Sequence, residues 1–147
     1  MPTLLVIEDG NEYSEFASTF LSRAFHILSV HNGQEALAVL SRQTISAFLI
    51  DLRFDRVPLS DLMGNAKECA DRLFAGDMQR AFRYLQDQQG ILILAAIRQH
   101  RHPQPAVFIH DFPERRLQNL QKLYGAVFAV SSFDTKNILD ILSKNTP

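Results

Sequence analysis

The sequence has a single cysteine, no excess of charge of either sign and no long hydrophobic run. With Cys69 as the only cysteine in 147 residues, a disulfide framework and a cysteine-rich metal site are excluded. The formal net charge of −1 at pH 7 gives no electrostatic reason to expect binding to nucleic acid or to an anionic membrane. No apolar run approaches the roughly 20 residues needed to cross a bilayer. We therefore expect a soluble, cytoplasmic protein with neither of these partners.

Length and composition are those of one globular domain. Hydrophobic residues make up 46% of the chain and charged residues 21%, which is ordinary for a chain that buries a core. Near the N-terminus, Glu8 and Asp9 interrupt the only apolar stretch, so the pattern of a signal peptide is missing. We predict a single domain over residues 1–147, with an inserted segment at about 57–89.

Two apolar runs end in carboxylates. Residues 3–7 are followed by Glu8 and Asp9, and residues 45–50 are followed by Asp51. Such runs are typical of strands buried on both faces, and the carboxyl edge of an open parallel sheet is where ligands bind. Three carboxylates close together repel one another unless a cation neutralises them, and hard oxygen ligands suit Mg²⁺. The sequence therefore predicts a magnesium site at this edge.

Strand-like and helix-like patterns alternate along most of the chain. The order up to Asp51 is β-α-β-α-β, which predicts a parallel sheet with right-handed crossovers. Residues 91–97 alone fit either a strand or a buried helix, but Ala95 and Ala96 favour a helix. Further strands are predicted at 106–110 and 126–130. We predict an α/β fold, a doubly wound five-stranded parallel sheet flanked by five helices.

The segment at about 57–89 interrupts this alternation. It contains no strand-like run, but apolar residues recur at helical spacing over 62–73 and again over 78–85, where Asp77 is a candidate N-cap. Connections of this length are usually functional or disordered. We expect a helical hairpin beside the acidic edge, which would cover the pocket, present a partner surface or form a homodimer.

Five stretches, in the same order, resemble parts of the receiver domain of two-component response regulators, which has a flavodoxin-like fold. They resemble its first strand with an acidic pair, the start of its second helix, its phosphoacceptor strand, its third helix and the entry to its fifth strand. The stretches are Leu4-Leu-Val-Ile-Glu8-Asp9, Asn32-Gly-Gln-Glu-Ala-Leu37, Phe48-Leu-Ile-Asp51, Gly90-Ile-Leu-Ile-Leu-Ala-Ala-Ile-Arg98 and Gly125-Ala-Val-Phe-Ala-Val130.

The resemblance implies a regulatory domain of a phosphorelay rather than an enzyme. Asp51 would accept a phosphoryl group from a histidine kinase or a phosphotransfer protein, and the domain would then act on a downstream protein. Glu8, Asp9, Asp51 and the backbone carbonyl of Arg53 would hold Mg²⁺ as the cofactor. A carboxylate is a competent nucleophile for covalent phosphoryl transfer.

The chain departs from the family at the residues that would contact the phosphoryl group. The family has a hydroxyl residue at the end of strand four, where this chain has His110, and a lysine at the end of strand five, where it has Ser131. The second change removes a fixed cation, and Lys136 would have to reach back to replace it. Phe128 stands at the position of the family's mobile switch aromatic.

These substitutions leave two functions open. The first is an atypical receiver domain that is phosphorylated on Asp51. The second is a pseudo-receiver, a protein-interaction module that is never phosphorylated and acts through its insert or by dimerising. A metal-dependent phosphatase of the haloacid dehalogenase type fits less well, because its first strand should carry an Asp-x-Asp pair and Leu52-Arg53 follows Asp51 here.

Overall fold

The apolar runs of the sequence form a five-stranded sheet in the computed structural model, which describes residues 1–146; Pro147, the end of the predicted domain, lies outside them. All neighbouring strands are parallel, in the order β2-β1-β3-β4-β5. This confirms the predicted doubly wound sheet. The strands are β1 (Thr3–Ile7), β2 (His26–Val30), β3 (Ala47–Ile50), β4 (Ala106–Ile109) and β5 (Val127–Val130).

Seven helices surround the sheet within residues 1–146, and none of them is long and apolar enough to cross a membrane. A short 3₁₀ turn at Leu59–Asp61 precedes the third helix. The helices are α1 (Glu12–Phe20), α2 (Gly33–Arg42), α3 (Ala66–Leu73), α4 (Met78–Asp87), α5 (Gln89–Gln99), α6 (Glu114–Tyr124) and α7 (Thr135–Asn145).

The helices divide between the two faces of the sheet because successive strand residues point to opposite sides. In β1, Leu4 and Val6 pack with α1 and α7, whereas Leu5 and Ile7 pack with α2, α5 and α6. All four side chains are fully buried. The continuous apolar runs of the sequence follow from this burial on both faces.

The segment between β3 and α5 carries α3 and α4, which pack against each other. Asp77 caps α4 by accepting a hydrogen bond from the Arg80 backbone N–H at 3.1 Å. The buried side chain of Gln89 ties the segment to the rest of the molecule, because it bonds both the N–H (2.7 Å) and the carbonyl (3.2 Å) of Met63. The hairpin formed by α3 and α4 is thus held by specific bonds at its base.

Candidate functional site

The acidic residues that follow β1 and β3 lie at the carboxyl edge of the sheet. Ile7 is the register partner of Ile50, so Glu8 and Asp51 follow paired residues on adjacent parallel strands. Burial, followed by repulsion from Asp9 and, to a smaller degree, from Glu8, raises the pKa of Asp51 to about 6. A hydrogen bond from the Arg53 backbone N–H opposes this rise. The ionised form of Asp51 is therefore disfavoured at this position.

Glu8 is fully buried and its carboxylate is turned toward α1. Its two oxygens accept hydrogen bonds from the backbone N–H groups of Tyr13 (2.9 Å) and Ser14 (2.6 Å). These N–H groups belong to the first turn of α1, which has no partner for them within the helix and favours a negative charge. Glu8 therefore holds the start of α1 in place at the acidic edge.

Asp9 is half-buried and binds the loop that follows β3. Its Oδ2 accepts hydrogen bonds from the backbone N–H groups of Asp55 (2.8 Å) and Arg56 (2.7 Å). The Arg56 guanidinium forms an ion pair with Glu12 at 3.1 Å. These contacts join the loop that follows β1 to the loop that follows β3.

His110 and Ser131 follow β4 and β5, but their surroundings differ. His110 is half-buried, and its ring lies 4.6 Å from that of Phe112. Burial, together with the nearby Arg116 guanidinium, lowers the pKa of His110, which favours the neutral ring at pH 7. Ser131 is exposed, as is Lys136 on α7. Among residues 1–146, Lys136 takes part in none of the ion pairs.

Positive charge near the site comes from the loop after β3. Arg53 follows Asp51 by two positions and forms an ion pair with Asp87 of α4 at 3.1 Å. It also lies close enough to His110 to help lower the pKa of that residue.

Gly90, at the start of α5, lies very close to the backbone of Asp51. A Cβ added at Gly90 would collide with the backbone carbonyl of Asp51. The start of α5 therefore contacts the backbone of the site directly.

Sequence reasoning did not identify Tyr13, which lies in the first turn of α1. The Tyr13 hydroxyl donates to the backbone carbonyl of Ile109 at 3.3 Å, and it lies close enough to the Asp51 carboxylate to influence the pKa of that residue. Its ring meets that of Phe133 edge-on at 5.1 Å. Phe133 follows β5 in a surface loop and is 43% exposed. The available signal was a tyrosine in the first helical turn after an acidic pair.

Only some of the carboxylate oxygens at this edge are available to bind a hard divalent cation, because others already accept hydrogen bonds. Among residues 1–146, no three His, Cys, Asp or Glu side chains form a ready-made metal group. Backbone N–H groups engage Glu8 and one oxygen of Asp9. The second oxygen of Asp9, the Asp51 carboxylate and the carbonyl of Arg53 are the candidate ligands. Their oxygen chemistry suits Mg²⁺, and a cation would relieve the repulsion at Asp51.

Comparisons with known proteins agree with this geometry. No family model and no curated protein matches the chain, but solved structures do. The receiver domain of a Francisella response regulator has a TM-score of 0.65 at 13% identity, over 98% of this chain and 95% of that one. The response regulator TrrA of Thermotoga maritima, solved with Mg²⁺ and BeF, has a TM-score of 0.63 at 14% identity, over 98% of each chain.

A third structure extends the likeness to chemotaxis proteins. CheY4 of Vibrio cholerae has a TM-score of 0.64 at 16% identity, over 99% of this chain and 98% of its own. Identities this low show the backbone arrangement, which agrees with the five stretches identified in the sequence. The chain therefore has the fold of response regulator receiver domains.

Proposed function

We propose that the chain is a cytoplasmic receiver domain that accepts a phosphoryl group on Asp51, with Mg²⁺ as cofactor. The observation that carries the proposal is the convergence of Asp51 with Asp9 and Glu8 at the carboxyl edge of the sheet, where burial, followed by repulsion from these neighbours, raises the pKa of Asp51. A cation bound here would relieve this repulsion, and it would also offset the negative charge of a transferred phosphoryl group. The neighbour solved with Mg²⁺ and BeF supports the choice of metal.

Each residue of the site has a separate role in the proposed reaction. An oxygen of Asp51 attacks the phosphorus of a phosphorylated histidine on a kinase or phosphotransfer protein, and the bond from phosphorus to the donor nitrogen breaks with its electron pair. Asp9 and the Arg53 carbonyl would hold Mg²⁺ beside Asp51, with Glu8 nearby to position α1. The metal, when bound, supplies positive charge that offsets the negative oxygens of the transferring group.

The hairpin of α3 and α4 is the surface that we propose for a downstream protein. Asp51 is connected to it by short links: the Arg53 guanidinium pairs with Asp87 at 3.1 Å, and the Phe54 backbone N–H donates to the carbonyl of Gln86 at 2.9 Å. A shift of the loop after Asp51 would move these partners on α4. The insert would then report the phosphorylation state to a partner.

The test uses Mg²⁺ and acetyl phosphate as a small phosphodonor, with intact mass as the readout. We expect the wild-type protein to gain the mass of one phosphoryl group. The gain should disappear in Asp51→Asn and when EDTA removes the metal. An unmodified wild-type protein that nevertheless binds Mg²⁺ would contradict the proposal.

A second candidate function is supported by the exposed Ser131. Without a lysine at the end of β5, the site lacks the family's fixed cation, which favours a pseudo-receiver that binds a protein or a second copy of itself regardless of phosphorylation. Sedimentation equilibrium measures the dimerisation constant and so tests whether a dimer forms independently of phosphorylation. The dimerisation constant would then be the same for wild type and Asp51→Asn, with or without acetyl phosphate.

A further inference from the structure

The Tyr13 hydroxyl lies between the ends of two neighbouring strands. It lies 3.3 Å from the carbonyl of Ile109, the last residue of β4, and it is near enough to the carboxylate of Asp51, which follows β3, for each group to shift the pKa of the other. The distance of 3.3 Å to Ile109 is long for a hydroxyl donor, whose bonds usually measure about 2.5–3.0 Å. A phenol has one proton to donate, and an ionised carboxylate is a stronger acceptor than a carbonyl.

The position of the Tyr13 ring is fixed by contacts on several sides. Its backbone N–H donates to the buried Glu8 carboxylate at 2.9 Å. The ring meets Phe133 edge-on, and Phe133 in turn lies 4.8 Å from the ring of Phe16. The hydroxyl is therefore held at the site before any ligand arrives, which lowers the entropic cost of using it.

Several other donors near the site are exposed or already paired, which leaves Tyr13 and the half-buried ring of His110. Ser131 is exposed on the surface. The guanidinium groups of Arg53 and Arg56 are paired with Asp87 and Glu12. The end of β5 therefore supplies no fixed hydrogen-bond donor beside the attacking carboxylate of Asp51.

We propose that Tyr13 is the positioning residue of this site, whose hydroxyl donates to Asp51 and, after transfer, to an oxygen of the phosphoryl group. Its proton is not consumed: the phenol redirects the same O–H bond while the new oxygen–phosphorus bond forms on Asp51. A phenol, whose ordinary pKa is about 10, is protonated at neutral pH and can donate this bond. The phosphoryl step rests on the function proposed above, whereas the bond to Asp51 does not.

The bond between Tyr13 and Asp51 is tested without phosphodonor or metal. A double-mutant cycle of Tyr13→Phe, Asp51→Ala and the double variant is measured by urea unfolding in EDTA. We expect the two changes to be coupled by about fivefold to tenfold in the unfolding equilibrium constant, as for a hydrogen bond to a charged group. Additive effects of the two substitutions would overturn the assignment.

The phosphoryl step is tested with acetyl phosphate and Mg²⁺. We expect Tyr13→Phe to slow incorporation by about tenfold or more while leaving the affinity for Mg²⁺ unchanged. Tyr84→Phe, at an exposed tyrosine of α4, is the matched control and should behave as wild type. Equal or faster incorporation in Tyr13→Phe would overturn the donor role. If wild type takes up no phosphate, the proposed function and the phosphoryl step both fail, and the double-mutant cycle still decides the bond to Asp51.

Discussion

At the scale of single residues, Asp51 combines partial burial with two nearby carboxylates. Its pKa is raised from 3.8 to about 6, so the ionised form is less favourable in the folded protein than in the unfolded chain. The folded state binds the proton more tightly between these values, so this residue's contribution to stability falls as pH rises through about 4 to 6 and is then constant.

We predict that Asp51→Asn stabilises the metal-free protein above pH 6. Solvent screening reduces the free energy that corresponds to the full pKa shift, because Asp51 is only half-buried. We therefore expect the unfolding free energy to rise by about 1–2 kcal/mol. Urea unfolding of both proteins in EDTA measures the difference in unfolding free energy, which should shrink as pH falls from 6 to 4. A difference that does not change with pH would contradict the electrostatic cause.

Asp9 has two roles that its variants can separate. Asp9→Asn keeps an oxygen that can accept from the backbone N–H groups of Asp55 and Arg56, but it removes the charge. We expect it to lose most of the stabilisation that saturating Mg²⁺ gives wild type, with little change in the metal-free protein. Asp9→Ala should also lose about 1 kcal/mol without metal. Thermal unfolding with and without Mg²⁺ checks this, and equal stabilisation of all three proteins would exclude Asp9 as a ligand.

The roles of individual residues were harder to predict from the sequence than their positions. The sequence predicted Glu8, Asp9 and Asp51 at one edge, because each of the two apolar runs ends directly before these acids. It did not show that Glu8 faces α1. The contact of Tyr13 with Phe133 also depends on a loop far along the chain, and local patterns carry no signal for such a contact.

At the scale of elements, strand positions were predicted to within one or two residues. β3 begins at Ala47 rather than at residue 45, although Ile45 is buried, because burial extends beyond the hydrogen-bonded ladder. Asp77 and Asp134 cap helices as their side-chain chemistry suggests. The contact of α5 with the Asp51 backbone was not foreseen, since the leading glycine indicates a close approach but not its partner.

We predict that Gly90→Ala destabilises the protein by about 2–3 kcal/mol or more, because the new methyl group would collide with a backbone carbonyl that cannot move freely. Gly76→Ala is the matched control: it has open space around the site of the new Cβ but a φ of 87°, so we expect about 1 kcal/mol of strain alone. Urea unfolding compares the two. Equal losses would mean that the contact with Asp51 is not tight.

At the scale of the whole molecule, the order of five short stretches was sufficient to predict the fold. The function depends on few positions, and low-identity neighbours cannot assign them because they share the backbone alone. The links from Arg53 to Asp87 and from Phe54 to Gln86 would couple the proposed phosphorylation site to the hairpin.

We predict that Mg²⁺ with beryllium fluoride, a phosphoryl mimic, changes hydrogen exchange in α3 and α4 more than in α2. The change should be absent in Asp51→Asn and weaker in Arg53→Ala, which removes the ion pair to Asp87. Hydrogen–deuterium exchange with peptide resolution measures it. A response confined to the loops around Asp51 would argue against the hairpin as the output surface.

The central claim is that Asp51 accepts a phosphoryl group, and mass spectrometry of the protein after incubation with acetyl phosphate tests it most directly. The account predicts one added phosphoryl group, located on the peptide that contains Asp51, dependent on Mg²⁺ and absent from Asp51→Asn. An unmodified wild-type protein under conditions where Mg²⁺ is bound, or a modification that persists in Asp51→Asn, would contradict it.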